Sequence, residues 1–146
     1  MFEKILYPTD FSDVSKKALE YIKRLKDAGT KDVIVLHVID EREIEHMSHI
    51  PGIHMDSNDL EKLSREGAKK AIRAIATELR ECGFQVKVRI EEGVPLREIL
   101  RVEKEEEISV IVIGSHGRSA VQEMLLGSVA EKVVRKSSKP VLVIRR

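Results

Sequence analysis

The chain has 146 residues, of which 42% are apolar and 35% charged, and its 26 basic residues almost balance its 25 acidic ones. This balance lacks the basic excess of a nucleic-acid-binding protein. The single cysteine, Cys82, excludes an internal disulfide and a cysteine-rich metal site. No apolar run approaches the roughly 20 residues that span a membrane, and the first residues enter a strand pattern without the features of a signal peptide. We therefore expect one cytoplasmic domain over residues 1–146, with no nucleic-acid or membrane partner.

The first third of the chain has the pattern of strand, helix and strand. An apolar run at Phe2–Tyr7 predicts the first strand, and Pro8 ends it because proline cannot donate to a strand ladder. Apolar residues at helical spacing predict a helix over Asp13–Asp27. The second strand, Val33–Ile39, is apolar except for His37, which is typical of a strand that is covered on both faces.

A long polar connection, Asp40–Ser57, follows the second strand and contains a Pro-Gly turn. Loops of this length in a compact domain are usually functional, so we interpret it as a lid or a partner surface. Its three histidines, His46, His49 and His54, offer a metal site as an alternative. Because their spacing matches no strong ligand pattern, the metal site is the weaker interpretation.

The rest of the chain predicts three helices and three strands. In chain order these are helix Asn58–Cys82, strand Phe84–Ile90, a helix from Pro95, strand Ile108–Ile113, helix Val129–Lys136 and strand Val141–Ile144. Apolar and polar residues alternate along Phe84–Ile90, which indicates an edge strand with one wet face. The charged run Glu103–Glu107 is interpreted as a solvated helix end. Five strands that alternate with four helices predict a three-layer, doubly wound α/β sandwich around a parallel sheet.

A glycine-rich segment follows the predicted strand at Ile108–Ile113. Gly114 ends the strand, Gly117 follows after two residues, and Gly127-Ser128 after nine more. Glycine lets a backbone approach an anion closely, and the first N–H groups of a helix lie at the positive end of its dipole. Ser128 and Glu131 fit a capping box, which predicts a helix start at Gly127-Ser128. The segment therefore has the parts of a phosphate-binding site.

The spacing G-x2-G-x9-G-S resembles the glycine motif of the ATP-binding branch of the universal stress protein family. The sequence PTDFS at Pro8–Ser12 resembles the P-T-D-x-S opening of that family, and the resemblance covers nearly the whole chain. It implies a Rossmann-like fold, similar to the adenine nucleotide alpha hydrolases, with strand order 3-2-1-4-5. Folds of this kind bind ligands at a topological switch point, here beyond the carboxyl ends of strands 1 and 4.

The resemblance also implies a set of nucleotide-binding residues. Thr9 and Asp10 would lie by the adenosine, the backbone of Val38 would contact the adenine, and the glycine segment would hold the ribose and phosphates. The candidate binding residues are Pro8, Thr9, Asp10, Val38, Gly114, His116, Gly117, Arg118, Gly127, Ser128 and Val129. ATP would carry Mg²⁺ through its own phosphates. A turn residue is an alternative interpretation of Asp10, and a helix cap is an alternative for Ser128.

Three functions fit these residues. The first, implied by the resemblance, is a nucleotide-dependent switch in stress response that acts on an unknown protein partner. The others are a slow ATP hydrolase or phosphotransferase that uses His116 or Asp10, and a dimerisation module without nucleotide. P-loop and dinucleotide fingerprints are absent, which removes the usual support for P-loop hydrolysis and hydride transfer. The apolar last strand, together with the resemblance, predicts a homodimer through Val141–Ile144.

Overall fold

Strands and helices alternate along the chain, and the computed structural model describes residues 1–52, 54–116 and 126–146. The five strands are β1 (Lys4–Pro8), β2 (Asp32–Asp40), β3 (Gln85–Gly93), β4 (Val110–Gly114) and β5 (Val141–Ile144). The α-helices are α1 (Asp13–Leu25), α2 (Glu41–Ser48), α3 (Ser57–Glu81), α4 (Pro95–Glu105) and α5 (Ser128–Lys136), and a 3₁₀ turn at Lys26–Ala28 follows α1. Within these ranges no helix is long and apolar enough to cross a bilayer.

The strands form one parallel sheet in the order β3-β2-β1-β4-β5. Leu6 of β1 pairs with Ile34 of β2 on one side and with Ile111 of β4 on the other. This order confirms the prediction 3-2-1-4-5 and the edge position of β3. It also leaves β5 at the opposite edge of the sheet.

Alternate residues of the central strands face two separate cores. Ile5 and Tyr7 point to the face that α1 and α3 cover, whereas Leu6 points to the face of α4 and α5. All three side chains are completely buried. Burial of a side chain of this size stabilises the fold by about 1.5–3 kcal/mol. The apolar runs of β1, β2 and β4 are continuous because helices cover both faces of these strands.

Helix α2 lies inside the connection that the sequence predicts to be a loop. Asp40 caps this helix, since its side chain accepts a hydrogen bond from the N–H of Arg42 at 3.0 Å. Among the eight residues of α2, only Ile44 is buried. Ile44 and Met47 are the only apolar residues of α2 and are too few to create a helical periodicity, so the prediction of four helices was wrong and the described residues contain five.

Glu103 is buried, which contradicts its interpretation as part of a solvated helix end. Its Oε1 accepts hydrogen bonds from Ser137 Oγ at 2.7 Å and from the N–H groups of Ser138 at 3.0 Å and Lys139 at 3.1 Å. The donors lie 34 to 36 residues further along the chain. This carboxylate therefore fastens α4 to the turn between α5 and β5.

Candidate functional site

The carboxyl ends of β1 and β4 border a cavity of about 520 Å³, a volume within the range of small-molecule pockets. The two strands are neighbours, and their connections leave to α1 on one face and towards α5 on the other. The cavity is therefore at the topological switch point of the sheet. Nine of the eleven candidate residues line it: Pro8, Thr9, Asp10, Val38, Gly114, His116, Gly127, Ser128 and Val129. Gly117 and Arg118 lie outside the described residues.

The turn after β1 forms one wall of the cavity. The N–H of Thr9 extends the sheet ladder by donating to the Leu36 carbonyl at 2.8 Å. Thr9 Oγ1 accepts from the N–H of Phe11, and Asp10 Oδ1 accepts from the N–H of Ser12, both at 3.0 Å. These bonds hold Phe11 in the left-handed region, with φ +65°. Asp10 thus has the turn role that was its alternative interpretation, and it also lines the cavity.

Beneath this turn, a chain of hydroxyl groups connects the core to the cavity. The Tyr7 hydroxyl donates to the Ser15 carbonyl at 2.6 Å, and Ser15 Oγ donates to Thr9 Oγ1. Burial raises the pKa of Tyr7 above its usual value, so the phenol is a neutral donor. Ser15 and Thr9 both line the cavity. Because each hydroxyl has a partner, this part of the wall is held in one arrangement.

Gly114 has a structural reason to be glycine besides any ligand. A Cβ at this position would lie 3.0 Å from Val14 Cγ1 and 3.2 Å from the Ser15 nitrogen. Both atoms belong to the first turn of α1, which packs against the end of β4. The absence of a side chain therefore lets α1 and β4 approach each other closely at the cavity.

Ser115 and His116 connect the end of β4 to the start of α5. The N–H of Ser115 donates to the Ile144 carbonyl at 2.7 Å, and the Ser115 carbonyl accepts from the N–H of Gly127 at 2.6 Å. The hydroxyl of Ser115 lies 2.7 Å from His116 Nδ1. Ser115 is fully buried and His116 is 8% exposed. The pair therefore stabilises the strand-to-helix connection and also lines the cavity.

The N-terminus of α5 forms the opposite wall. Gly127 is the N-cap and Ser128 is the first helical residue, so the predicted capping box of Ser128 with Glu131 was wrong by one position. The N-cap Gly127 has no side chain to accept a hydrogen bond. Ser128, Val129 and Ala130 line the cavity, and N–H groups in a first turn have no partner within the helix. This wall can therefore donate backbone hydrogen bonds to an anion.

Helix α2, which lies in the connection that the sequence analysis interprets as a lid or a partner surface, supplies a further wall. Arg42, Ile44 and Met47 line the cavity from this helix. The Arg42 guanidinium donates two hydrogen bonds to the Asp40 carboxylate, from Nε at 3.1 Å and from Nη2 at 2.9 Å. Burial alone would raise the pKa of Asp40, but the hydrogen bonds from Arg42 outweigh it and lower that pKa. Without a helical signal in this segment, nothing in the sequence placed Arg42 at the site.

The three histidines of the predicted metal alternative do not converge. Across the described ranges, no group of three or more His, Cys, Asp or Glu side chains is arranged to hold a metal ion. A fourth histidine, His37 of β2, has a structural role. Its Nδ1 donates a hydrogen bond to the Thr9 carbonyl at 2.8 Å, which connects β2 to the turn after β1.

Comparison with known proteins identifies the family. Residues 1–145 match the model of the universal stress protein family. The chain is 42% identical to universal stress protein MJ0577 of Methanocaldococcus jannaschii, over all of this chain and 96% of that protein. It is 33% identical to universal stress protein YxiE of Bacillus subtilis, over 99% of this chain and 100% of that protein. The chain therefore belongs to the universal stress protein family.

Solved structures agree with this assignment. The structure of MJ0577 superposes with a TM-score of 0.90 and covers all of this chain and 97% of that one, at 44% identity. A universal stress protein of Arabidopsis thaliana, solved with AMP bound, has a TM-score of 0.65 at 19% identity, over 98% of this chain and 91% of that one. At that identity the Arabidopsis structure shows the shared fold only.

Proposed function

We propose that the chain binds ATP, with Mg²⁺ carried on the phosphates, in the cavity beyond β1 and β4. The observation that carries the proposal is the convergence of nine candidate residues, from three separate stretches of sequence, on one cavity. The AMP-bound member of the family supports it as a precedent for a nucleotide ligand. We further propose that the protein is a cytoplasmic switch or binding module in stress response.

The walls of the cavity suggest how a nucleotide would be held. The first turn of α5 would hold the phosphates, because its N–H groups and dipole favour negative charge. The adenosine would be held by the turn at Thr9 and Asp10 and by the end of β2 at Val38. Mg²⁺ would neutralise phosphate charge without protein carboxylates. In this arrangement the protein supplies shape and backbone donors.

A switch requires that ATP favour one arrangement of a movable element. Helix α2 is the best candidate in the part of the chain that is described, because it lines the cavity through Arg42 and Met47. The Arg42 guanidinium pairs with Asp40 at the surface, where solvent weakens such pairs. A phosphate can therefore compete with Asp40 for Arg42, and the position of α2 would report occupancy of the cavity.

The direct test is to purify the protein without added nucleotide, denature it and identify released small molecules by chromatography and mass spectrometry. ATP near one per chain supports the switch and indicates little hydrolysis. ADP alone would favour the alternative, a slow ATP hydrolase or phosphotransferase. If no nucleotide is released, calorimetric titration with ATP and Mg²⁺ follows. Absence of binding in that titration would overturn the proposal and leave the dimerisation module.

We also propose a homodimer through β5. This strand is an edge of the sheet, and its Leu142 is 38% exposed. An apolar edge strand is a template for pairing with another strand. Light scattering at micromolar concentration should give twice the mass of one chain, and Leu142→Lys should halve it. Tyr21→Lys, at an equally exposed position on α1, is the control. A monomeric mass for the unmodified protein would contradict the dimer.

A further inference from the structure

Large apolar side chains are exposed in one region beside the cavity. Eight such side chains are more than a third exposed in the described residues, and four of them lie between residues 47 and 63. They are Met47, Ile50, Met55 and Leu63, which are 41%, 39%, 38% and 59% exposed. We call these four residues the apolar patch. Isolated exposed apolar residues are ordinary, but half of those in the described residues fall within 17 consecutive positions, a clustering that is typical of interaction surfaces.

The patch rests on a small core of its own. Ile44 of α2 packs with Leu60 of α3 and with Ile39 at the end of β2. This contact joins α2 to the first turns of α3. Met47 and Ser64, the neighbour of Leu63, both line the cavity, which brings the two helices together on that side. Two members of the patch are therefore carried by helices packed against each other, Met47 by α2 and Leu63 by α3, and Ile50 and Met55 lie in the connection between these helices.

The segment that precedes Lys62 is strongly acidic. Residues 40–61 contain seven carboxylates and one cation, Arg42. Arg42 is paired with Asp40, and Glu61 lies beside Glu92, which is paired with Arg65. In the described residues the other five carboxylates form no ion pair within 4 Å: Glu41, Glu43, Glu45, Asp56 and Asp59. From Lys62 onward α3 becomes basic, so the acidic character ends close to where the patch ends.

Carboxylates elsewhere in the fold are used differently. Around β3 and α4, Glu91, Glu98, Glu105 and Glu106 are paired with arginine or lysine within the chain. The carboxylates beside the patch are left uncompensated in a chain whose total charge is close to zero. A partner with basic residues can therefore supply the compensating positive charge.

We propose that the apolar patch and its acidic border dock a cationic amphipathic helix of a partner protein. Methionine side chains adapt to varied apolar partners, and an amphipathic helix presents apolar residues at i, i+3, i+4 and i+7 to such a surface. Lysine or arginine on the flanks of that helix would face the unpaired carboxylates. The same charge disfavours an anionic membrane or a nucleic acid as the occupant.

The docking surface shares α2 with the cavity, because Met47 belongs to both. Partner docking and nucleotide occupancy should therefore change each other's affinity by the same factor. This coupling rests on the proposed ATP binding, whereas the docking surface itself does not.

The test uses three synthetic peptides of about 20 residues, long enough for more than five helical turns. The first is an amphipathic lysine–leucine helix, the second has the same composition in scrambled order, and the third replaces lysine by glutamate. Titration calorimetry should detect binding of the first peptide and no binding of the other two. The double variant Met47→Gln/Met55→Gln should weaken that binding by at least about tenfold, as truncation of central anchors does. Tyr21→Gln, which removes an equally exposed side chain on α1, should change it by less than about twofold.

Three results would overturn the docking surface. Equal binding of the scrambled peptide would show attraction by charge alone. Unchanged binding to the double variant would place the peptide elsewhere. Loss of self-association in the double variant, seen by light scattering, would show that a second copy covers the patch.

The coupling is measured by repeating the titration with saturating ATP, whose own binding is recorded in the same preparation. A changed peptide affinity supports the coupling, and an unchanged affinity with ATP bound overturns it. Failure of ATP to bind is a separate result that concerns the proposed function alone.

Discussion

The ring of Phe11 stacks on the imidazole of His37, with centroids 4.5 Å apart and planes inclined by 28°. Phe11 has φ +65°, an uncommon conformation for a bulky residue. The stack and the bond from His37 to Thr9 therefore help to hold the strained turn that borders the cavity.

Phe11→Ala should destabilise the protein by about 2 kcal/mol, below the range for a fully buried Phe because this ring is only partly buried. It should also weaken ATP binding, since the turn carries Thr9 and Asp10. Urea unfolding and ATP titration measure the two effects. His37→Phe retains a ring against Phe11 and should preserve more of the stability. Equal loss in both variants would show that the hydrogen bond to Thr9 contributes as much as the stack.

Ser128→Pro tests the backbone donors of α5. Proline is tolerated at the first position of a helix, and Gly127, with φ −70° and ψ 160°, suits a residue before proline. The loss of one N–H to phosphate should cost about 1.5–3 kcal/mol, or roughly 10–100-fold in ATP affinity by titration.

Ser57→Pro is the matched control, because Ser57 is the first residue of α3 and lies outside the cavity. Its ATP affinity should change by less than about twofold. Ser128→Ala removes the hydroxyl and keeps the N–H, so a large effect of this variant would assign the binding to the side chain.

Gly114→Ala and Gly67→Ala should change stability in opposite directions. The methyl group at Gly114 would press on Val14 and Ser15 and should cost about 1–3 kcal/mol. At Gly67, within α3, nothing lies within 4 Å of the added atom. Alanine there should stabilise the fold by about 0.5–1 kcal/mol. Urea unfolding measures both changes. An unchanged free energy of unfolding for Gly114→Ala would disprove the close contact between α1 and β4.

Glu103→Ala should be destabilising, by about 1–3 kcal/mol, because it removes the buried acceptor of Ser137, Ser138 and Lys139. Glu103→Gln keeps an acceptor oxygen and should cost less. Glu66→Ala, on the exposed side of α3, should stay within about 0.5 kcal/mol. Unfolding in urea distinguishes them, and similar values for the two alanine variants would show that Glu103 contributes little.

Glu106 should contribute to acid unfolding. A hydrogen bond from Lys87 at 2.6 Å, and the nearby charges of Arg89 and Lys4, lower the pKa of Glu106 in the folded protein. Its contribution is therefore complete above the unfolded value of about 4.3 and is lost as the pH falls through the lower folded value. Stability measured in urea should decline below about pH 4.3, and Glu106→Gln should reduce that slope.

Glu107→Gln is the control for Glu106, because Glu107 is its exposed neighbour and forms no ion pair in the residues described. Its acid slope should equal that of the unmodified protein. Equal slopes for all three proteins would exclude Glu106 as a source of the pH dependence.

The sequence by itself determined the alternation of strands and helices, the strand order through the family resemblance, and the stretches that border the cavity. Periodicity, prolines and glycine spacing are local features of the sequence, so they can be interpreted without a structure. The dimer, the bound nucleotide and the roles of Gly117 and Arg118 stay predictions.

Only the tertiary structure decided which atoms meet. It made Glu103 the acceptor for a turn 34 to 36 residues away, gave Gly114 a neighbour in α1, and placed Arg42 and Met47 in the cavity wall. These contacts depend on how the helices pack on the sheet, because each joins residues that are distant in the chain. A charge run or a single glycine looks the same in sequence whether it faces solvent or a packed helix.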